Sequence, residues 1–93
     1  MSGPSKRSVR IVNDLGLHLR AAGVLVQVAG EFKSDIILVR ATPLTQKANA
    51  KSIMSVLALA AGRGTELSLE AEGADAEQAV EALCGLISRG FET

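Results

Sequence analysis

The sequence predicts an α+β fold, an antiparallel sheet carrying all of its helices on one side. Three observations predict it. The apolar patterning switches between period two and period 3.6 along the chain, in the order βαββαβα. The stretch "TELSLEAEG" alternates strictly, with Leu67, Leu69 and Ala71 set against Glu66, Ser68, Glu70 and Glu72. That is a strand with one buried and one wet face, as antiparallel sheets have. The first and last helical stretches are amphipathic, so each covers the sheet with its apolar side and shows water the other.

Each element follows in order. "MSGPSKR" reads as a flexible tail over residues 1–7, leaving residues 8–93 as a single domain. "KRSVRIVND" alternates, with Val9 and Ile11 on one face, and reads as the first strand. "DLG" turns the chain. From Leu19 to about Gly30 the apolar residues Ala22, Leu25, Val26 and Ala29 fall at helical spacing, with Gly30 as the stop. "SDIILVR" is β-branched and mostly apolar, which suits a buried central strand. "ATPLTQ" is a turn, and the short polar "TQKANA" suits an edge strand. "KSIMSVLALAAGRG" is a short helix with Ser52 as N-cap and Gly62 and Gly64 as the stop. "ADAEQAVEALCGLISRG" is the last helix. Asp75 and Gln78 have capping-box spacing there, and Ala76, Ala79, Val80, Leu83 and Ile87 line its apolar side.

Composition narrows the function. The chain has 93 residues, 47% of them apolar, enough for one modest core. It has neither tryptophan nor tyrosine, and its acidic and basic residues balance at ten each. That excludes a general nucleic-acid binder, which needs a basic surface or aromatic stacking platforms. One cysteine, Cys84, precludes an internal disulfide, suits a reducing cytoplasm, and lies among Leu83, Leu86 and Ile87 as a small core hydrophobe. No stretch is long enough for a membrane span, and the start is unlike a signal peptide.

The one histidine, His18, stands in "LGLHLRAAG", two residues after Gly16 and at the start of the first predicted helix. The first N–H groups of a helix lack internal partners and sit at the positive end of its dipole, an arrangement that favours phosphate. The cradle would be the backbone of Leu19 and Arg20, and the Arg20 guanidinium would add a planar cation that matches phosphate geometry. Such a histidine could accept, hold and release a phosphoryl group. By spacing alone such a histidine is more often a helix cap or a surface residue. A metal site is not expected, since the chain has no second histidine and Asp14 offers one ligand at most.

"GLHLRAAGVLVQVAGEF" and "ANAKSIMSVLALAAGRGTELSLEAEGADAEQAVEALCGLI" resemble the HPr family, the histidine phosphocarriers of the bacterial phosphoenolpyruvate-dependent phosphotransferase system. The resemblance runs from about Val9 to Phe91. Gly16, His18, Arg20 and Ala22 match the family's Gly-x-His-Ala-Arg-Pro-Ala pattern, and Lys51, Ser52, Ile53 and Met54 match its Lys-Ser-Ile-Met signature. The resemblance implies an HPr-like open-faced β-sandwich, a four-stranded antiparallel sheet with three helices on one face. It implies that His18 takes a phosphoryl group on Nδ1 from enzyme I, that Arg20 steadies it, and that a IIA domain of a sugar-uptake or regulatory branch receives it. The chain would then be a cytoplasmic, monomeric carrier without a cofactor, not a stand-alone enzyme.

The resemblance also implies that Ser52 is a target of an HPr kinase/phosphorylase. Its short helix and the start of the first would form one docking face for all partners, including Leu19, Lys51, Ile53, Met54 and Leu57. By pattern alone, Val56, Leu59 and Ala60 suit the core, leaving Ile53, Met54 and Leu57 pointing partly outward. The alternative is a regulatory binding module that acts through Ser52 and this face with little phosphotransfer. Two positions depart from the family pattern: Leu19 replaces the usual alanine and Ala21 the usual proline. Alanine still favours helix there. The stretch from Phe32 to Ser52 is a few residues long for the family, and the excess falls in "RATPLTQ", where insertions are cheap.

Overall fold

The computed structural model describes residues 4–92. Its elements are β1 (Ser5–Arg10), α1 (Leu19–Ala29), β2 (Asp35–Arg40), β3 (Gln46–Asn49), α2 (Ile53–Ala58), β4 (Glu66–Glu72) and α3 (Ala76–Ser88). A turn with positive φ at all three residues, Gly90–Glu92, follows α3. The four strands form one antiparallel sheet in the order β1-β4-β2-β3, so β4 and β2 are central and β3 is an edge. The polar "TQKANA" suits that edge and the apolar "SDIILVR" suits the centre.

The period-two pattern places Ile36 and Leu38 of β2 and Leu67, Leu69 and Ala71 of β4 on the covered face, all buried. Ala22, Leu25 and Ala29 of α1 and Ala79, Leu83 and Ile87 of α3 meet them in one core. Aliphatic residues supply nearly all of it; Phe91 is its one buried aromatic among the described residues. On the wet face, Lys6 and Arg10 of β1 stand opposite Glu70 and Glu66 of β4, with N···O separations of 3.7 and 3.8 Å. These cross-strand pairs agree with the register and add little stability at that exposure. No helix among the described residues is long and apolar enough to cross a membrane.

Three local expectations need correction. The first strand begins at Ser5, so residues 5–7 pair with Ala71, Glu70 and Leu69 and are not tail. Ladder pairing uses the backbone, and a polar edge strand carries no apolar signal there. The remaining tail, residues 1–3, lies outside the described residues. Second, α2 ends at Ala58, before either glycine. Ala60 takes a positive φ of 50° and is exposed, whereas Val56 and Leu59 are buried. The Arg40 guanidinium donates to the carbonyls of Leu59 (2.7 Å) and Ala60 (3.2 Å), satisfying groups that the end of the helix leaves open. Third, the Asp75 side chain does not cap α3. It accepts from the backbone N–H groups of Lys33 and Ser34, each at 2.9 Å, and from the Ser34 hydroxyl. The turn over Gly90–Glu92 has no pattern in the sequence that announces it. Cys84 is buried as expected, and burial pushes its thiol pKa up despite the nearby Arg7 guanidinium.

Candidate functional site

The site is built by the loop between β1 and α1. Asn13 and Gly16 close a tight turn: Gly16 N–H donates to the Asn13 carbonyl (3.2 Å) and Asn13 Nδ2 donates to the Gly16 carbonyl (2.9 Å). Gly16 has a φ of +62°, and a Cβ there would lie 2.4 Å from the Ala61 carbonyl oxygen and 2.7 Å from Gly62 Cα. Only glycine allows this approach. It lets Leu17 N–H donate to the Ala61 carbonyl (2.9 Å) and bury its side chain, which fixes the residue before His18.

His18 is the N-cap of α1, in extended backbone with φ −72° and ψ 176°. Its carbonyl accepts the first intrahelical bond, from Ala22 N–H at 2.8 Å. Its ring Nδ1 accepts from Arg20 N–H at 3.3 Å. The cap reading and the phosphoryl reading therefore describe one placement. As an acceptor, Nδ1 carries a lone pair, and in the neutral ring the proton sits on Nε2. The backbone N–H groups of Leu19 and Ala21 meet no acceptor among the described residues, as expected of a first helical turn. The Arg20 side chain is exposed and its guanidinium pairs with no side chain among the described residues.

His18 and Arg20 line an open recess of about 460 Å³ together with Val12, Asn13, Asp14 and Leu15. Reading the sequence for chemistry missed Asn13 and Asp14 as site residues. An asparagine opening a glycine turn was an available signal. Asp14 pairs with Arg63 at 2.7 Å across 49 residues, and nothing local announces that contact.

The second group of expected residues lies on α2, which packs against α1. Ser52 is its N-cap, and its hydroxyl oxygen accepts from Ser55 N–H at 3.3 Å. Ile53 and Leu57 are half-buried against the core, and Ile53 lies 3.9 Å from where a Cβ on Gly23 of α1 would be. Met54 is 74% exposed and Leu19 66%. α2 is therefore not tilted so as to bury all three of its outer apolar residues. Lys51 is exposed, and its ammonium donates to the Phe32 carbonyl at 2.7 Å. The fold thus brings two sets of residues onto neighbouring helices: His18, Leu19 and Arg20 at the head of α1, and Lys51 to Leu57 along α2.

A family model described as "PTS HPr component phosphorylation site" matches residues 5–89. The chain is 43% identical over 86 residues to phosphocarrier protein HPr of Neisseria meningitidis serogroup A, covering 92% of this chain and 93% of that one. It is 46% identical over 86 residues to HPr of Treponema pallidum, covering 92% and 94%. Among solved structures, HPr from Thermoanaerobacter tengcongensis superposes with a TM-score of 0.88 at 38% identity, covering 96% of this chain and 97% of that one.

Proposed function

The chain belongs to the HPr family of phosphotransferase-system phosphocarriers, and from that premise we propose that His18 is its phosphoryl acceptor, charged by enzyme I and discharged to a IIA domain. The observation that carries this reading is the His18 ring capping α1, with Nδ1 directed at the Arg20 amide. In the step itself the Nδ1 lone pair attacks phosphorus on the phosphohistidine of enzyme I. An Nδ1–P bond forms, the donor's N–P bond breaks, and its electron pair returns to the donor ring. The Nε2 proton stays in place. Arg20 N–H loses its ring acceptor and turns to a phosphoryl oxygen beside the free Leu19 and Ala21 amides and the Arg20 guanidinium. The cradle is assembled before the group arrives, so little reorganisation is needed. Transfer to the IIA domain runs the same exchange in reverse. No second catalytic group is needed, in keeping with a carrier that works between other proteins in the cytoplasm.

Leu19, Ile53, Met54 and Leu57 form the docking face in this reading, with exposed Met54 adaptable to several partners. Lys51 borders that face, its exposed ammonium held by the Phe32 carbonyl. Ser52 is a regulatory phosphorylation site: its hydroxyl oxygen caps α2, and a phosphate there would put about two negative charges next to Met54. Incubation with phosphoenolpyruvate and enzyme I is expected to give an acid-labile adduct on the unaltered chain and none on His18→Ala. An equal adduct on the variant would remove the assignment. The same two proteins treated with HPr kinase and ATP are expected to gain one acid-stable phosphate each, absent from Ser52→Ala; no gain in mass would leave Ser52 as a cap alone.

A further inference from the structure

We propose that the Arg63–Asp14 ion pair sets the charge of the phosphoryl recess, with Arg63 acting as a positioning residue that neutralises the Asp14 carboxylate. The inference rests on the acceptor role of His18 argued above. Two charged side chains line the recess beside the ring, Asp14 and Arg20, and they are of opposite sign. A phosphoryl group on His18 brings about two negative charges. An unscreened carboxylate at the rim would repel it and offset the attraction of Arg20. Arg63 Nη1 lies 2.7 Å from Asp14 Oδ1, so the recess as built presents Arg20 with its rival neutralised.

The alternative role for such a pair is a clasp between two loops. The backbone already performs that task. Ile11 N–H donates to the Thr65 carbonyl (2.9 Å), Gly64 N–H donates to the Ile11 carbonyl (2.8 Å), and Leu17 N–H donates to the Ala61 carbonyl (2.9 Å). These bonds hold both sides of the pair whether or not it forms. The pair itself is 68% and 83% exposed, which leaves it little to add to stability. What remains is its effect on charge in the recess.

The two roles predict different signs. If the pair is a clasp, Arg63→Gln and Asp14→Asn harm the protein alike. If it sets charge, they act in opposite directions. The quantity to measure is the equilibrium between phosphorylated enzyme I and phosphorylated full chain, at fixed ratios of phosphoenolpyruvate to pyruvate. An equilibrium constant does not depend on how the donor docks, so altered docking cannot imitate the result. At low salt, Arg63→Gln is expected to lower phosphorylation of His18 about threefold and Asp14→Asn to raise it by about as much, with the double variant close to the unaltered chain. At 1 M salt, where the screening length falls to about 3 Å, the differences should shrink. Shifts of the same sign, or no shift in either variant, would overturn the inference. Failure of the unaltered chain to form any adduct would instead remove the acceptor reading, and this inference with it.

Discussion

Gly16 fixes the placement of His18 from two residues away. Its positive φ and its contact with the Ala61 carbonyl leave no space for a side chain. In Gly16→Ala the left-handed conformation alone costs about 1–2 kcal/mol. The overlap with backbone at 2.4 Å adds to that, because the obstacle is not a flexible side-chain end. The loop can relieve it only by moving Leu17 off Ala61, which carries His18 with it. The expected outcome is a lower urea midpoint and a phosphorylation rate reduced by more than the loss of folded protein explains; an unchanged midpoint would show that the loop has slack. The histidine and arginine of the site were legible in the sequence because their geometry is local, a cap and a first helical turn two residues apart. The Gly16 contact and the Asp14–Arg63 pair were not, because their partners come from the turn after α2 and only the completed fold supplies them.

At the level of elements, helix ends were the least legible features, and for one physical reason. A cap can be read from sequence when the capping side chain serves its own helix, as Ser52 does for α2. It cannot be read when the side chain comes from elsewhere or goes elsewhere. Arg40, at the end of β2, closes the far end of α2, and Asp75, at the start of α3, holds the turn between α1 and β2. The Asp75 interaction has a pH signature. The Ser34 hydroxyl, followed by the Lys33 amide, lowers the carboxyl pKa from 3.8 to about 2 in the folded chain. The unfolded chain then binds more protons between those values. The contribution of Asp75 to stability is complete above about pH 4 and is lost as the pH falls towards 2. Asp75→Asn keeps an acceptor but not the charge. Urea midpoints measured from pH 5 down to 2 should therefore fall less steeply for the variant than for the unaltered chain, and parallel curves would show that Asp75 titrates alike in both states.

For the molecule as a whole, the layers and the central and edge places of β2 and β3 followed from period and polarity, since the buried faces of β2 and β4 and the stripes of α1 and α3 are continuous features of the sequence. The start of β1 did not follow cleanly, because Lys6 and Arg7 read both as strand and as tail, and Ser5, Lys6 and Arg7 join the sheet through main-chain pairing with Ala71, Glu70 and Leu69. The two halves of this strand have separate tasks. Its far end leads into Ile11, which bonds to Thr65 and Gly64 and anchors the loop that carries His18. Its near end holds only the sheet edge, against β4 and beneath α3. Removing residues 1–7 should therefore separate stability from chemistry. The shortened chain loses several ladder bonds, each worth about 0.5–1.5 kcal/mol net, so its stability should fall by about 2–4 kcal/mol. Under native conditions the fraction that remains folded should still accept a phosphoryl group at the rate of the full chain, because nothing between Ile11 and Arg20 has changed. Urea titration and phosphorylation kinetics on the shortened protein test the two halves independently. An unmoved midpoint would return residues 5–7 to the tail, and slower transfer per folded molecule would mean that the near end of β1 also supports the site.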